Sequence, residues 1–189
     1  MVMPIGAMRR RWIVSLLALA VVAGAARGGE AALPNRPLAK VDLQRYVGRW
    51  HEIANLPMFF QRHCVSDVTA QYTLRADGGI EVRNACRDKE GALKVANGVA
   101  RVAGPAQGAL KVRFAPAWLT WLPWVWADYW VVEIDPQYRW AVVGSPSRKY
   151  LWVLSRAPSM RQSLYDTLMR HARERGYDTG RMVVVAPLE

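Results

Sequence analysis

The chain has 189 residues, 52% of them apolar and 22% charged, with a formal net charge of +11. That length fits one ordinary domain with a processed end. Its arginines are scattered, and no basic cluster with stacking aromatics stands out; this argues against a nucleic-acid partner and leaves anionic lipid surfaces as the partner such a charge favours.

In chain order, Arg9–Arg11 precede the apolar stretch Trp12–Ala26. A basic start, an apolar run and small residues at Ala23-Gly24-Ala25 read as a secretory signal cut near Ala25 or Ala26. Left uncut, the same stretch would be an anchor near the lower length limit for a span. No cysteine stands near that site to accept a lipid. Residues 1–25 are therefore expected to be a signal, 26–40 a linker and 41–189 the single domain, in the periplasm or elsewhere in the envelope. Removing residues 1–25 takes away three arginines and no acid, so the net charge of +11 falls to +8.

From Gly48 onward, short alternating segments are separated by turn chemistry. "RWHEIAN" is followed by "SDVTAQYTL", in which Val68, Ala70, Tyr72 and Leu74 share one face. "ADGG" carries the Asp-Gly signal of a tight hairpin, and "IEVRNA" answers it. Further segments flank "GPAQ", "DPQYR" and "SPSRK". Turn signals at this spacing without helices between them predict an antiparallel sandwich or barrel. One helix is predicted late: Ser159 is placed to cap it, Met160, Leu164, Leu168 and Ala172 recur at helical spacing, and Gly176 ends it. Arg161, Arg170, Arg173 and Arg175 occupy its other face, and "RMVVVA" after it reads as a last strand.

Two cysteines, Cys64 and Cys86, stand where the predicted hairpin brings its strands back together. An even count in an exported chain reads as one disulfide. A metal site competes weakly, because only His63 is nearby and no ligand spacing is present.

Three stretches resemble the lipocalin family. Gly48-Arg49-Trp50 after "LQRYV" is similar to the Gly-x-Trp signature of its first strand. "EIDPQYRWAVV" is similar to the signature between the sixth and seventh strands through Asp135 and Tyr138, and "YLWVLSR" ends in the family's arginine, Arg156. The resemblance is nearest to bacterial lipocalins of the apolipoprotein D kind and spans roughly residues 41–187. It implies an all-β fold: an eight-stranded antiparallel up-and-down barrel with one C-terminal helix and a trailing strand. Such a barrel is just wide enough for one small ligand. Gly48, Trp50, Asp135, Tyr138 and Arg156 are then structural, closing one end, with Arg156 stacked on the Trp50 indole.

Trp118–Trp130 holds five of the nine tryptophans. Its apolar stretch is too short for a membrane helix and contains prolines. Trp124, Trp126 and Trp130 share parity with Val132 and Ile134, so a sixth strand starting near Trp124 would turn them to the lumen. Glu133 on the other parity favours this, and Asp128 on the same parity opposes it. Trp118 and Trp121 belong to the connection. Alternating loops place it at the open mouth, near Phe59, Phe60 and Tyr150. Such a rim suits ligand entry or docking on a lipid interface, contact with a second copy, or packing on itself.

Enzyme chemistry finds no constellation: His51, His63 and His171 are dispersed, the Gly-x-Ser-x-Gly elbow is absent, and Cys64 is expected to be bonded. The expectation is a carrier, without cofactor or metal, of a fatty acid or lysophospholipid. Its ligand-lining candidates are Phe59, Phe60, Tyr72, Trp118, Trp121, Trp124, Trp126, Trp130, Val132 and Tyr150, and its candidates for an anionic head are Arg62, Arg148 and Lys149. The alternatives are a carrier of haem or another planar ligand, and a membrane-docking or dimerising barrel.

Overall fold

Alternation of apolar and polar side chains between Gly48 and Ser155 folds into eight strands, each paired antiparallel with the next. The computed structural model describes residues 32–189, so the expected signal and the first part of the linker lie outside the described residues. The strands are β1 (Gly48–Asn55), β2 (Ser66–Leu74), β3 (Ile80–Arg87), β4 (Leu93–Val102), β5 (Ala109–Arg113), β6 (Ala127–Ile134), β7 (Trp140–Gly144) and β8 (Leu151–Ser155). β1 pairs with both β2 and β8, which closes the barrel and removes its edges. β9 (Val183–Val184) adds to Ala54 and Asn55 from outside; the predicted last strand is thus shorter than its "RMVVVA" pattern.

The Asp-Gly turn forms as its chemistry dictates. Gly78 takes φ +80°, Asp77 accepts from the Gly79 N–H at 2.9 Å, and the Arg75 N–H donates to the Gly79 carbonyl. At the other end of that hairpin Cys64 and Cys86 are joined by a disulfide spanning 22 residues. Closing a loop of that length contributes about 3 kcal/mol in the chain-entropy treatment.

The end of the barrel where β1 begins is plugged from below. A one-turn helix, α1 (Leu43–Tyr46), lies across it, capped by Asp42 Oδ1, which accepts from the N–H groups of Gln44 and Arg45 at 2.9 and 3.2 Å. Trp50 is fully buried above it, and its Nε1 donates to the Tyr46 carbonyl at 2.8 Å. The Arg156 guanidinium lies 3.7 Å from the indole centroid. It also donates to the carbonyls of Arg45, Arg49, Tyr46 and Val47 at 2.8–3.0 Å. A planar fork can serve that many acceptors at once, and an ammonium cannot. Gly48 sits at φ +99°, and a Cβ there would meet Arg156 Nη1 at 3.2 Å, so a glycine is required for both reasons. The 6–7 turn completes the seal: Asp135 holds Arg139 at 2.6 Å, and the Tyr138 hydroxyl accepts from the Asp42 N–H at 2.8 Å. The Arg139 guanidinium keeps the Asp135 carboxyl below its ordinary range.

Helix α2 (Gln162–Glu174) covers the outside of the barrel. Tyr165, Leu168, Met169 and Ala172 pack on Ile53, Val142, Leu151 and Val153. It begins later than predicted: Arg161, not Ser159, is its N-cap, because the Met160 backbone is bridged to the C-terminal tail through Pro187 and Glu189. Arg175 also departs from the expected solvent stripe. It pairs with Glu133 at 2.9 Å, which His171 meets from the same helix at 2.9 Å. In the segment expected as a linker, the Leu38 N–H donates to the Val131 carbonyl at 2.8 Å, and Asn35 meets Ser145 and Tyr177.

Candidate ligand-binding site

A ladder of rings runs from the mouth to the plug. Phe59 meets Phe60 edge-on at 5.5 Å, and Phe60 meets Tyr150 at 6.1 Å. Tyr150 stacks on Trp152 at 6.0 Å, and Trp152 stacks on Tyr129 at 6.4 Å. Tyr129 meets Tyr72 at 6.1 Å, Tyr72 meets Tyr46 at 5.7 Å, and Tyr46 meets Trp50 at 5.2 Å. Between the rings the lumen is lined by Ala70, Ile80, Val82, Leu110, Val131, Val143 and Leu154, all buried. The wall is apolar because each strand presents every second side chain inward.

At the mouth the rings have no cover. Phe59, Trp118, Trp121 and Trp124 are 73–76% exposed, and Phe60 is 54% exposed. They stand on the 1–2 and 5–6 connections, in the short 3₁₀ turns Phe59–Gln61, Ala117–Leu119 and Pro123–Val125 and the residues beside them. Leaving five such rings in water forfeits the burial that indole and phenyl groups favour, which marks the rim as a contact surface.

The sixth strand corrects the parity reading. It begins at Ala127, because Pro123 starts a 3₁₀ turn that takes Trp124 out of any strand. Val131 pairs with Val143 and Glu133 with Val142, so Val132 is the extra residue of a bulge. The bulge sends both Val132 and Glu133 outward. Trp130 and Val132 pack in the outer cluster beneath α2, not in the lumen, while Tyr129, Val131 and Ile134 face inward. Trp126 is also outside the lumen, with Arg101 at 4.3 Å and Arg113 at 5.3 Å from its ring. Asp128, on the same outward parity, pairs with Lys111 at 3.0 Å.

Of the basic residues expected to meet an anionic head, Arg62 and Lys149 are exposed on the mouth loops. Arg148 is turned away: its Nε donates to the Arg175 carbonyl at 2.7 Å, at the C-terminus of α2. Tyr72 lies deep in the lumen and Tyr150 near its mouth.

Two polar features of the lumen were missed in the sequence. The first is Glu52, which is 6% exposed and faces inward opposite Leu154. Asn55 donates to its Oε1, and Gln61 Nε2 donates to its Oε2 at 2.8 Å. Gln61 Oε1 in turn accepts from Trp152 Nε1 at 3.2 Å. Burial raises the Glu52 carboxyl to about 7 against these amide bonds, and no cation pairs with it among the described residues. Its position was readable, since it follows the lumenal Trp50 by two residues. The second is a triad of tyrosines. The Tyr129 hydroxyl lies 2.7 Å from that of Tyr46 and 2.9 Å from that of Tyr72. Burial pushes Tyr72 up to about 12 and holds Tyr46 and Tyr129 well above their ordinary value.

The three histidines lie elsewhere. His63 is exposed on the 1–2 loop, and His171 binds Glu133 outside. His51 lines an outer groove of about 800 Å³ with Arg49, Thr69, Gln71 and Arg83. Among the described residues no group of three or more His, Cys, Asp or Glu side chains is placed to hold a metal.

Comparison with known proteins agrees with this geometry. Residues 41–187 match the model of the lipocalin-like domain. The chain is 42% identical over 147 residues to temperature-induced lipocalin-1 of Arabidopsis thaliana, covering 75% of this chain and 77% of that one. It is 37% identical to the outer membrane lipoprotein Blc of Vibrio cholerae, covering 79% and 85%. Among solved structures, insecticyanin of the tobacco hornworm Manduca sexta superposes with a TM-score of 0.60 at 17% identity, covering 82% and 89%, a likeness of fold alone. The plugged barrel with its apolar, ring-lined lumen belongs to a chain of the lipocalin family, which binds small hydrophobic ligands.

Proposed function

We propose that this chain is a non-enzymatic carrier of a single-chain lipid, a fatty acid or a lysophospholipid, in the bacterial cell envelope. The observation that carries this reading is the ring ladder, continuous from the exposed Phe59 to the buried Trp50. A narrow apolar lumen closed at one end suits an acyl tail, while Arg62 and Lys149 at the rim suit an anionic head. Envelope residence is supported by the signal-like start of the sequence and by relatives named as outer membrane lipoproteins. Native mass spectrometry of the purified protein, followed by lipid extraction, tests the reading. A bound single-chain lipid in stoichiometric amount is expected; a pigment with a visible absorption band in its place would move the assignment to a planar ligand.

We also infer that the rim docks on an anionic bilayer. Five exposed rings on loops beside Arg62 and Lys149, in a chain whose net charge of +11 falls to +8 on removal of residues 1–25, combine the apolar and electrostatic contributions to interfacial binding. The protein should sediment with anionic vesicles, and salt should weaken this. A concentration-dependent dimer that hides the rim tryptophans from a soluble quencher, with no vesicle binding, would assign the rings to a second copy.

A further inference from the structure

The polar features of the lumen serve no purpose for a plain acyl chain. Glu52 is buried, and among the described residues each of its oxygens accepts a single amide hydrogen bond, whereas a carboxylate oxygen accommodates about two. On β3, Asn84 faces inward opposite Ala70, level with the Trp50–Ala70 pair, and its buried Oδ1 has no partner among the described residues. The tyrosine triad is unfilled in the opposite sense. Its three hydroxyls carry three protons, and the two bonds between them use two, so one O–H is left over among the described residues. Trp152 links the two features: its ring stacks on Tyr129, and its Nε1 reaches Gln61, which holds Glu52. Spare acceptors and a spare donor buried in an apolar barrel interior are costly when unmatched.

We propose that Glu52 and the Tyr46–Tyr72–Tyr129 triad form a subsite for a hydroxyl group carried on the ligand's acyl chain. A hydroxyl is the group that fits, because it can both donate to Glu52 and accept from the spare tyrosine O–H, and Glu52 lies near enough to Tyr72 for its charge to act on that phenol. An alkyl chain does neither, and a second carboxylate would meet the uncompensated charge of Glu52. The inference rests on the lipid-carrier reading and narrows it, from a fatty acid in general to a hydroxylated one. The polar head remains at the mouth, and the distance from head to subsite selects the carbon that bears the hydroxyl.

The test is a titration of tryptophan emission with hexadecanoate and with a series of hydroxyhexadecanoates differing in the position of the hydroxyl. At least one isomer should bind about tenfold more tightly than hexadecanoate, the worth of a buried hydrogen-bonded group. In Glu52→Leu that advantage should shrink to within about twofold while hexadecanoate itself binds no more weakly. Should Glu52→Leu fail to fold, Tyr129→Phe, which removes the central hydroxyl, should reduce the same advantage at least about threefold. If hexadecanoate binds and no isomer is preferred, or the preference survives both substitutions, the subsite is refuted and the carrier reading stands. If no fatty acid of either kind binds, both are refuted.

Discussion

Trp50 and Trp121 are the same side chain in opposite circumstances, one fully buried and the other 76% exposed. At the closed end the indole is held from several sides: Nε1 finds the Tyr46 carbonyl, Arg156 covers the ring, and the guanidinium reaches the carbonyls of Arg45, Tyr46, Val47, Arg49 and Tyr138. At the mouth the rings lie on short 3₁₀ turns, with their faces in solvent. A ring that stabilises the fold is surrounded, and a ring kept for contact is not. The two ends should therefore answer substitution in different measurements, the base in stability and the rim in binding.

The largest effect is expected at the base. Trp50→Ala removes a fully buried indole and should cost about 3–5 kcal/mol in chemical denaturation. A loss below about 1 kcal/mol would mean that the plug does not hold the fold.

Next comes the polar belt between the two ends. Burial lifts Glu52 from 4.5 in the open chain to about 7 in the fold. The folded protein then holds this proton more tightly than the unfolded chain does. Stability from this group is full below pH 4.5 and is lost as pH rises through 7, by about 3 kcal/mol in all. Asp135, held low by Arg139, works in the opposite direction in a more acidic range. Comparing Glu52→Gln with the wild type isolates the Glu52 component: the variant should gain relative stability between pH 5 and pH 8. An equal difference at both pH values would show that Glu52 is not buried uncompensated.

Arg156→Lys keeps the charge at the base but loses the planar fork, and should cost about 2 kcal/mol. The smallest stability effect belongs to the rim. Trp121→Ala should change unfolding free energy by less than about 0.5 kcal/mol, yet lower vesicle binding measurably. A destabilisation as large as that of Trp50→Ala would erase the distinction between the ends.

Much of the closed end was legible in the sequence, because its residues stand in the three stretches that resemble the lipocalin signatures, although the contacts among them span about a hundred residues. Gly48, Trp50, Asp135, Tyr138 and Arg156 each stand where a signature places them, and the Asp-Gly turn and paired cysteines fixed the 2–3 hairpin. The mouth was legible as a collection of loops, though not in detail. Strict alternation turned Trp130 and Val132 inward, and one extra residue at Val132 reverses the outcome for everything before it. No period-two pattern reveals a bulge, although Asp128 on the same parity gave the opposing sign. Arg148 looked free because its partner is a backbone carbonyl of α2 far along the chain. Glu52 was overlooked for a different reason: counting by two from Trp50 places it in the lumen, but a carboxylate in an apolar cavity runs against the pattern being sought. The short helix α1 was missed as well, although Asp42 is a well-placed N-cap for it.

The most direct measurement is a titration of the intact protein with hexadecanoate, read by tryptophan emission. Trp152 lies within the ring ladder, and Trp118, Trp121 and Trp124 stand at its mouth, so a lipid entering there must pass or touch them. A saturable change with one lipid per chain, diminished by Trp152→Ala, is the predicted result. Emission that stays flat, or drifts without saturating, would contradict a lumen built to take an acyl chain.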